Sequence, residues 1–171
     1  MVPLGASEGF WNSLAEYFRN YGNAWFLQGV HHVALDGYHN SLRSLDKGTD
    51  LVPRNEALRM EFFTASELGK DWSDPRKLQL ATLFSNMSAA HNHNHSRSCA
   101  FECCEKALRF RPGYPKALFQ RSKMHMAENR MGPAARDLMA VLASVDCSPQ
   151  LLEQAQKCLD IIREGAGLEM R

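Results

Sequence analysis

The sequence predicts an all-α fold built from three similar pairs of helices. Three segments, beginning near Phe18, Phe84 and Leu118, carry the same spacing of apolar and small residues. Leu118 follows Phe84 by 34 residues, a period typical of stacked helical repeats. No segment alternates apolar and polar residues in the way a half-buried strand does. With 171 residues and 44% hydrophobic content, the chain is long enough to bury one substantial core.

The shared spacing is that of the tetratricopeptide (TPR) repeat, which the sequence resembles in all three segments. In each segment a large apolar residue is followed three, four and seven residues later by further repeat positions. These are Phe18, Tyr21, Gly22 and Trp25; Phe84, Met87, Ser88 and His91; Leu118, Arg121, Ser122 and His125. Small or apolar residues then follow in the second helix of each pair: Ala34, Tyr38 and Ser41; Ala100, Cys104 and Ala107; Ala134, Leu138 and Val141.

The resemblance implies a single domain of three TPR repeats in a right-handed superhelix, closed by a capping helix. Phe84 follows Phe18 by 66 residues, which is one repeat plus an insertion of 32. The predicted boundaries are 13–48 for repeat one, 49–80 for a partly helical insertion, 81–114 for repeat two, 115–148 for repeat three and 149–164 for the capping helix.

Local signals place the first two helices and the insertion. Ser13 and Glu16 have capping-box spacing, so the first helix is predicted to begin near Ser13 and to break at Gly29. Trp25 is expected between the two helices of repeat one, with Gly22 and Ala34 at their contact. Within the insertion, apolar residues recur at helical spacing and predict an amphipathic helix over 55–68.

The later helices are bounded by proline and glycine. Pro75 suits the first turn of a helix that runs to about His91. Pro112-Gly113 ends the next helix, and Gly132-Pro133 separates the last pair. Apolar residues from Leu151 to Ile162 then recur every three or four positions, which predicts an amphipathic cap.

Composition excludes several classes of function. Twenty basic and nineteen acidic side chains leave the net charge near zero, which favours neither nucleic acid nor an anionic membrane as a partner. No apolar stretch approaches the roughly 20 residues of a membrane span. The N-terminal segment has no signal-peptide pattern, and five cysteines are an odd number for a disulfide framework. We therefore expect a cytoplasmic, monomeric protein with reduced cysteines.

The chain resembles the co-chaperone TPR domains of immunophilins and related adaptors, on the segments Asn86-Met-Ser-Ala-Ala and Lys116-Ala-Leu-Phe-Gln-Arg121. In that family a carboxylate clamp binds the Glu-Glu-Val-Asp tail of cytosolic heat-shock chaperones. The resemblance assigns the clamp to five residues of this chain: Arg19, Asn23, Asn86, Lys116 and Gln120.

Helical spacing supports this set independently. Arg19 and Asn23 are four residues apart and share a helix face, as do Lys116 and Gln120. Lys123, His93 and Phe26 are further candidates for the same groove. Gln120 departs from the family, which has arginine there, and the loss of a two-point contact weakens binding unless another residue compensates.

Two alternatives remain open. In the first, the clamp is functional and binds the chaperone tail. In the second, the clamp has lost this function, and the TPR scaffold binds a different peptide in its groove or uses the insertion as its contact surface. A less favoured alternative is a helical metal-binding protein using His91, His93, His95 and the nearby Cys99, Cys103 and Cys104. The repeat spacing assigns His91 and Cys104 to packing positions instead, and no zinc-type Cys-x-x-Cys spacing occurs. No catalytic motif and no cofactor-binding motif is present, so we predict no enzyme activity and no cofactor.

Overall fold

A computed structural model describes residues 8–45 and 74–169 of the chain. These residues form seven helices and no strands, so the all-α prediction is confirmed for them. The helices are α1 (Glu8–Leu27), α2 (His31–Leu45), α3 (Asp74–His93), α4 (Arg97–Phe110), α5 (Pro115–Ala127), α6 (Met131–Leu142) and α7 (Pro149–Glu169). The amphipathic helix predicted over 55–68 lies outside the described residues. Within them, no helix is both long enough and apolar enough to cross a bilayer.

The helices pack as antiparallel neighbours in chain order: α1 with α2, α3 with α4 and α5 with α6, with α7 against α6. One hydrophobic cluster runs from the first pair into α3 and α4, and it includes Tyr38, Phe84 and Met87. A second cluster joins α5, α6 and α7 around Leu138 and Leu159. The first helix of each pair also contacts the first helix of the next, which brings α1, α3 and α5 side by side.

The crossing of α1 and α2 depends on small residues at the contact. A methyl group at Gly22 would lie 2.6 Å from Cε1 of Tyr38 and 2.9 Å from the Ala34 carbonyl oxygen. A methyl group at Gly37 would lie 2.8 Å from Cα of Gly22. The predicted contact of Gly22 with Ala34 is therefore present, and Gly37 is a further part of it.

The prediction for Trp25 was wrong in part. Trp25 is only half-buried at the edge of the first cluster, with its ring 6.1 Å from that of Tyr21. The fully buried aromatic residue of this pair is Tyr38, at 1% exposure. The Tyr38 ring occupies the space that Gly22 leaves open, so the buried aromatic residue of this pair comes from the second helix.

Helix ends differ from prediction mainly at the start of α1. The helix begins at Glu8, and Ser13 lies inside it, where its hydroxyl donates to the Gly9 carbonyl at 3.0 Å. Ser13 therefore does not cap the helix as predicted. Its hydroxyl instead bonds to the carbonyl oxygen four residues earlier, as serine often does within helices. α3 begins at Asp74 with Pro75 in its first turn, as expected, and continues two residues beyond His91.

The turns between helices use left-handed backbone. Gly29 and Gly113 have φ of 78° and 80°, which glycine adopts without strain. His95 has φ of 59° at the turn between α3 and α4, a position where the repeat normally has glycine. Asn129 serves the same purpose between α5 and α6, with φ of 58°. The turns at Gly29, His95 and Asn129 fold each second helix back on its partner, and the turn at Gly113 joins the second pair to the third.

Candidate functional site

A groove with a volume of about 820 Å³ lies across the first helices of the three pairs. All eight residues singled out in the sequence line it: Arg19, Asn23, Phe26, Asn86, His93, Lys116, Gln120 and Lys123. The remaining lining residues are Leu27, Tyr38, Thr82, Ala89, Asn92 and Gln154. The structure thus brings together, in one concave surface, side chains that are up to 135 positions apart in the sequence, from Arg19 to Gln154.

Four of the lining side chains form a continuous hydrogen-bonded chain, which we call the relay. Lys116 Nζ donates to Oδ1 of Asn86, and Asn86 Nδ2 donates to Oδ1 of Asn23 at 3.0 Å. The Tyr38 hydroxyl donates to the same Asn23 oxygen, also at 3.0 Å. The relay therefore joins α5, α3, α1 and α2, and it fixes the polar floor of the groove.

The ammonium group of Lys116 is the least solvated cation of the groove. Burial lowers the pKa of Lys116, because removal from water disfavours its charged form. Its hydrogen-bond partner within the described residues is the neutral amide of Asn86. Since the ammonium has three donors and this bond uses one of them, the remaining protons are available to an anionic ligand.

The other charges of the groove are also positive. Arg19 lies on α1 and forms an ion pair with Glu16, one turn earlier, at 3.2 Å. Lys123 is exposed, and its ammonium sits 5.8 Å from the centre of the Phe119 ring. None of the lining residues in the described part of the chain is Asp or Glu. The lining therefore carries a positive potential, although the net charge of the chain is only +1.

Gln120 lies at the border between the groove and a second cavity. This side cavity has a volume of about 420 Å³ and lies between α5 and the start of α7. It shares Lys116, Gln120 and Gln154 with the groove and is otherwise lined partly by apolar residues, among them Phe119 and Leu151. The side chain at this border is therefore a neutral amide, shorter than an arginine and without its charge.

An aromatic cluster closes the other end of the groove. The imidazole rings of His31 and His93 stack with their centres 4.5 Å apart, and Phe26 lies 5.0 Å and 5.4 Å from them. Desolvation, and secondarily the neighbouring His93, lower the pKa of His31. Sequence reasoning identified Phe26 and His93 as groove candidates and missed their neighbour His31, which contacts both rings but is not part of the groove lining. His31 is the first residue of α2, and the repeat spacing assigns no role to that position.

Tyr38 was also missed as a groove residue. Sequence reasoning placed it in the second helix of repeat one, and second helices are expected to lie behind the groove. Its ring does pack in the core, while its hydroxyl reaches the groove beside Asn23. The sequence feature that could have indicated this is Gly22, because the absence of a side chain there leaves space for the Tyr38 ring against α1.

The histidines and cysteines considered for metal binding are separated by the fold. His91, Cys103 and Cys104 are buried, whereas His93 and His95 are exposed. Burial raises the pKa of Cys104 to about 12, and its Sγ lies 3.0 Å from the Ser88 hydroxyl. In the ranges that the structure describes, no three His, Cys, Asp or Glu side chains are grouped so as to hold a metal ion.

No protein-family model matches the chain, and no curated protein sequence matches it. Solved structures do resemble it. The first TPR domain of Spaghetti (RPAP3), bound to the HSP90 peptide SRMEEVD, superimposes with a TM-score of 0.64 at 18% identity, covering 91% of this chain and 98% of that one.

A second similar structure is the C-terminal TPR-containing domain of a Plasmodium falciparum protein described as an FK506-binding protein. It has a TM-score of 0.61 at 15% identity and covers 95% of this chain and 97% of its own. Both likenesses extend over most of the chain, and identities this low establish the fold alone. The chain has the fold of a tetratricopeptide-repeat domain.

Proposed function

We propose that this chain is a cytoplasmic, non-catalytic adaptor of the co-chaperone type. Its groove binds the acidic C-terminal tail, of the Glu-Glu-Val-Asp type, of a heat-shock chaperone. The observation that carries this proposal is the partly buried ammonium of Lys116, whose hydrogen-bond partner in the described residues is the neutral amide of Asn86. A desolvated cation without a carboxylate beside it gains free energy from an anionic ligand.

The donors around Lys116 match the end of such a tail. A C-terminal aspartate presents two carboxylates, which accept hydrogen bonds and donate none. The groove offers Lys116 and Asn86 on one side and Asn23 and Arg19 on the other. Hydrogen bonds to an ionised acceptor are about twice as strong as neutral ones, so this set favours a free carboxylate over an amide.

The Arg19 guanidinium is already paired with a carboxylate of its own helix, that of Glu16. Its ion pair with Glu16 is exposed, because 65% of the Glu16 side chain is accessible to solvent, and exposed pairs of this kind contribute little to stability. A ligand carboxylate in the groove competes with Glu16 for the guanidinium. Arg19 therefore contributes less to affinity than Lys116, whose competing partner is neutral.

The likeness to a TPR domain bound to an HSP90 peptide supports the same class of ligand. That peptide, SRMEEVD, ends in the four residues for which the groove is proposed. The support is for a protein ligand bound in a TPR groove, while the choice of an acidic chaperone tail depends on the donors described above.

A second candidate function is a TPR scaffold that binds a different peptide. Gln120 favours it, because this position lacks the charged two-point donor of the clamp and borders the side cavity, which is lined partly by apolar residues. A peptide with a bulky apolar residue near its end would use that cavity. This candidate predicts that a free C-terminal carboxylate is not needed for binding.

Fluorescence anisotropy distinguishes the two candidates. A labelled peptide ending in Glu-Glu-Val-Asp is titrated with the full chain, beside the same peptide with an amidated C-terminus. We expect amidation to weaken binding about tenfold, because it removes a charged acceptor from a partly desolvated site. Equal affinity for the two peptides would reject the carboxylate clamp and favour the scaffold.

Two groove variants and one control complete the experiment. Lys116→Met removes the ammonium and keeps most of the aliphatic stem, and Asn86→Ala removes the amide. Each is expected to weaken binding of the free acid by about tenfold or more. Arg109→Met is the matched control, since Arg109 is an exposed cation of α4 that does not line the groove. An equal loss in the control would indicate a diffuse electrostatic attraction.

A further inference from the structure

The relay has a fixed direction because one of its ends can only donate. An ammonium has no acceptor, so Asn86 must turn Oδ1 toward Lys116 and Nδ2 toward Asn23. Asn23 must then turn Oδ1 toward Asn86. The orientation of both amides follows from the position of a single lysine, without any freedom to exchange oxygen and nitrogen.

The amide oxygen of Asn23 already accepts as many hydrogen bonds as it has lone pairs. It has two lone pairs, and it receives one hydrogen from Asn86 and one from the Tyr38 hydroxyl. Its amide nitrogen carries two hydrogens on the opposite side of the same planar group. Because Asn23 lines the groove, that nitrogen is the group presented to a ligand.

We infer that Tyr38 is a positioning residue that makes the groove selective for an ionised C-terminus. Its hydroxyl does so by donating a hydrogen bond to the second lone pair of the Asn23 oxygen. The inference rests on the proposed function and adds a specificity residue to it. With Tyr38 in place, the Asn23 oxygen accepts two hydrogen bonds, so Asn23 offers a ligand only the N–H groups of its amide. A terminal carboxylate accepts from these N–H groups, whereas a terminal amide placed against Asn23 brings N–H groups that find no free lone pair on the Asn23 oxygen.

Tyr38→Phe tests the inference with little disturbance of the core. The ring of Tyr38 is buried against Gly22, and phenylalanine keeps that packing. The change frees one lone pair of the Asn23 oxygen, which then accepts a hydrogen from an amidated peptide. We expect the affinity ratio of free acid to amidated peptide to fall by about two- to tenfold, the range for one hydrogen bond.

Tyr21→Phe is the matched control. It removes a tyrosine hydroxyl from the same helix pair, at an exposed position outside the groove lining, and it should leave the ratio unchanged. The melting temperature is measured for both variants, because a purely structural role of Tyr38 would lower stability without changing the ratio. An unchanged ratio in Tyr38→Phe would overturn the inference and leave the proposed function standing.

Asn23→Asp provides a second and independent measurement. The aspartate keeps an acceptor for Tyr38 and Asn86 but replaces the groove-facing nitrogen with a charged oxygen. We expect the free acid to lose at least about tenfold in affinity and the amidated peptide to lose less. Undiminished binding of the free acid would show that the amide nitrogen does not face the ligand. If the unmodified chain shows no preference for the free acid, the proposed function itself fails.

Discussion

The Arg121 guanidinium donates to both carboxylate oxygens of Asp137, with each nitrogen–oxygen distance at 2.8 Å. It also pairs with Glu105, so that it joins α4, α5 and α6. Asp137 is buried, at 7% exposure. Arg121 is held by these partners and is not among the residues that line the groove.

Arg121→Ala is expected to destabilise the fold by about 2–3 kcal/mol. The reason is that a buried carboxylate loses its two-point partner. Urea unfolding followed by circular dichroism measures the change. Arg136→Ala is the matched control, since Arg136 is an exposed residue of α6, and its cost should stay within about 0.5 kcal/mol. Equal midpoint shifts in the two variants would contradict a structural role for the Arg121–Asp137 pair.

Two glycine-to-alanine changes should have opposite effects on stability. Gly22→Ala places a methyl group 2.6 Å from the Tyr38 ring and 2.9 Å from the Ala34 carbonyl oxygen, so it should cost about 1–3 kcal/mol. Gly132→Ala meets no atom within 4 Å and lies in α6, so it should stabilise by up to about 1 kcal/mol. Thermal unfolding of both variants is the measurement. A stable Gly22→Ala variant would mean that α1 and α2 do not cross at this position.

The repeat spacing was sufficient to predict the fold. Spacing determines which face of a helix a residue occupies, and the stacking of first helices then brings Asn23, Asn86 and Lys116 together. The boundaries predicted for the repeats and the insertion remain predictions. The carboxylate clamp also remains a prediction, because only a measurement of ligand binding tests it.

Spacing could not predict the details that depend on contacts between helices. Which aromatic residue enters the core of the first pair is decided by the space at Gly22, and Tyr38 takes it while Trp25 stays at the edge. The stack of His31 on His93 arises where the start of α2 meets the end of α3. Likewise, Ser13 has the local pattern of a helix start, yet α1 extends five residues before it.

The stability of the chain should fall as the pH drops below about 6.5, the ordinary pKa of histidine. Burial, and secondarily Arg130, lower the pKa of His125. The unfolded chain therefore takes up this proton at a higher pH than the folded chain does. Stabilisation by neutral His125 is complete above the unfolded pKa. It is lost progressively as the pH falls from there to the lower folded pKa.

His125→Phe should reduce this loss. Phenylalanine does not titrate, and it keeps the edge-on contact with Phe101, whose ring centre lies 5.5 Å from that of His125. It also removes Nδ1 of His125, a buried nitrogen that has no hydrogen-bond partner among the described residues. Melting temperatures between pH 7.5 and 5, for example, are compared with those of His32→Phe, at an exposed histidine of α2. If both variants keep the full acid sensitivity of the original chain, other groups are responsible.

Gln120→Arg should raise the affinity for a free-acid Glu-Glu-Val-Asp peptide by about tenfold. Gln120 is half-buried on the same helix face as Lys116, so an arginine there extends its fork toward the ligand site. The gain should shrink in about 1 M salt, where the Debye length falls to about 3 Å and screens the exposed part of the interaction. Anisotropy titrations at low and high salt measure both effects.

Gln156→Arg separates a restored donor from a general increase in positive charge. Gln156 is exposed on α7 and does not line the groove, so the same substitution there should leave affinity for the tail within about twofold. An equal gain in both variants would mean that long-range attraction alone strengthens binding. No gain at Gln120 would mean that the peptide end does not reach this helix face. The apolar side cavity next to Gln120 would then be the better candidate for the principal contact of a different peptide.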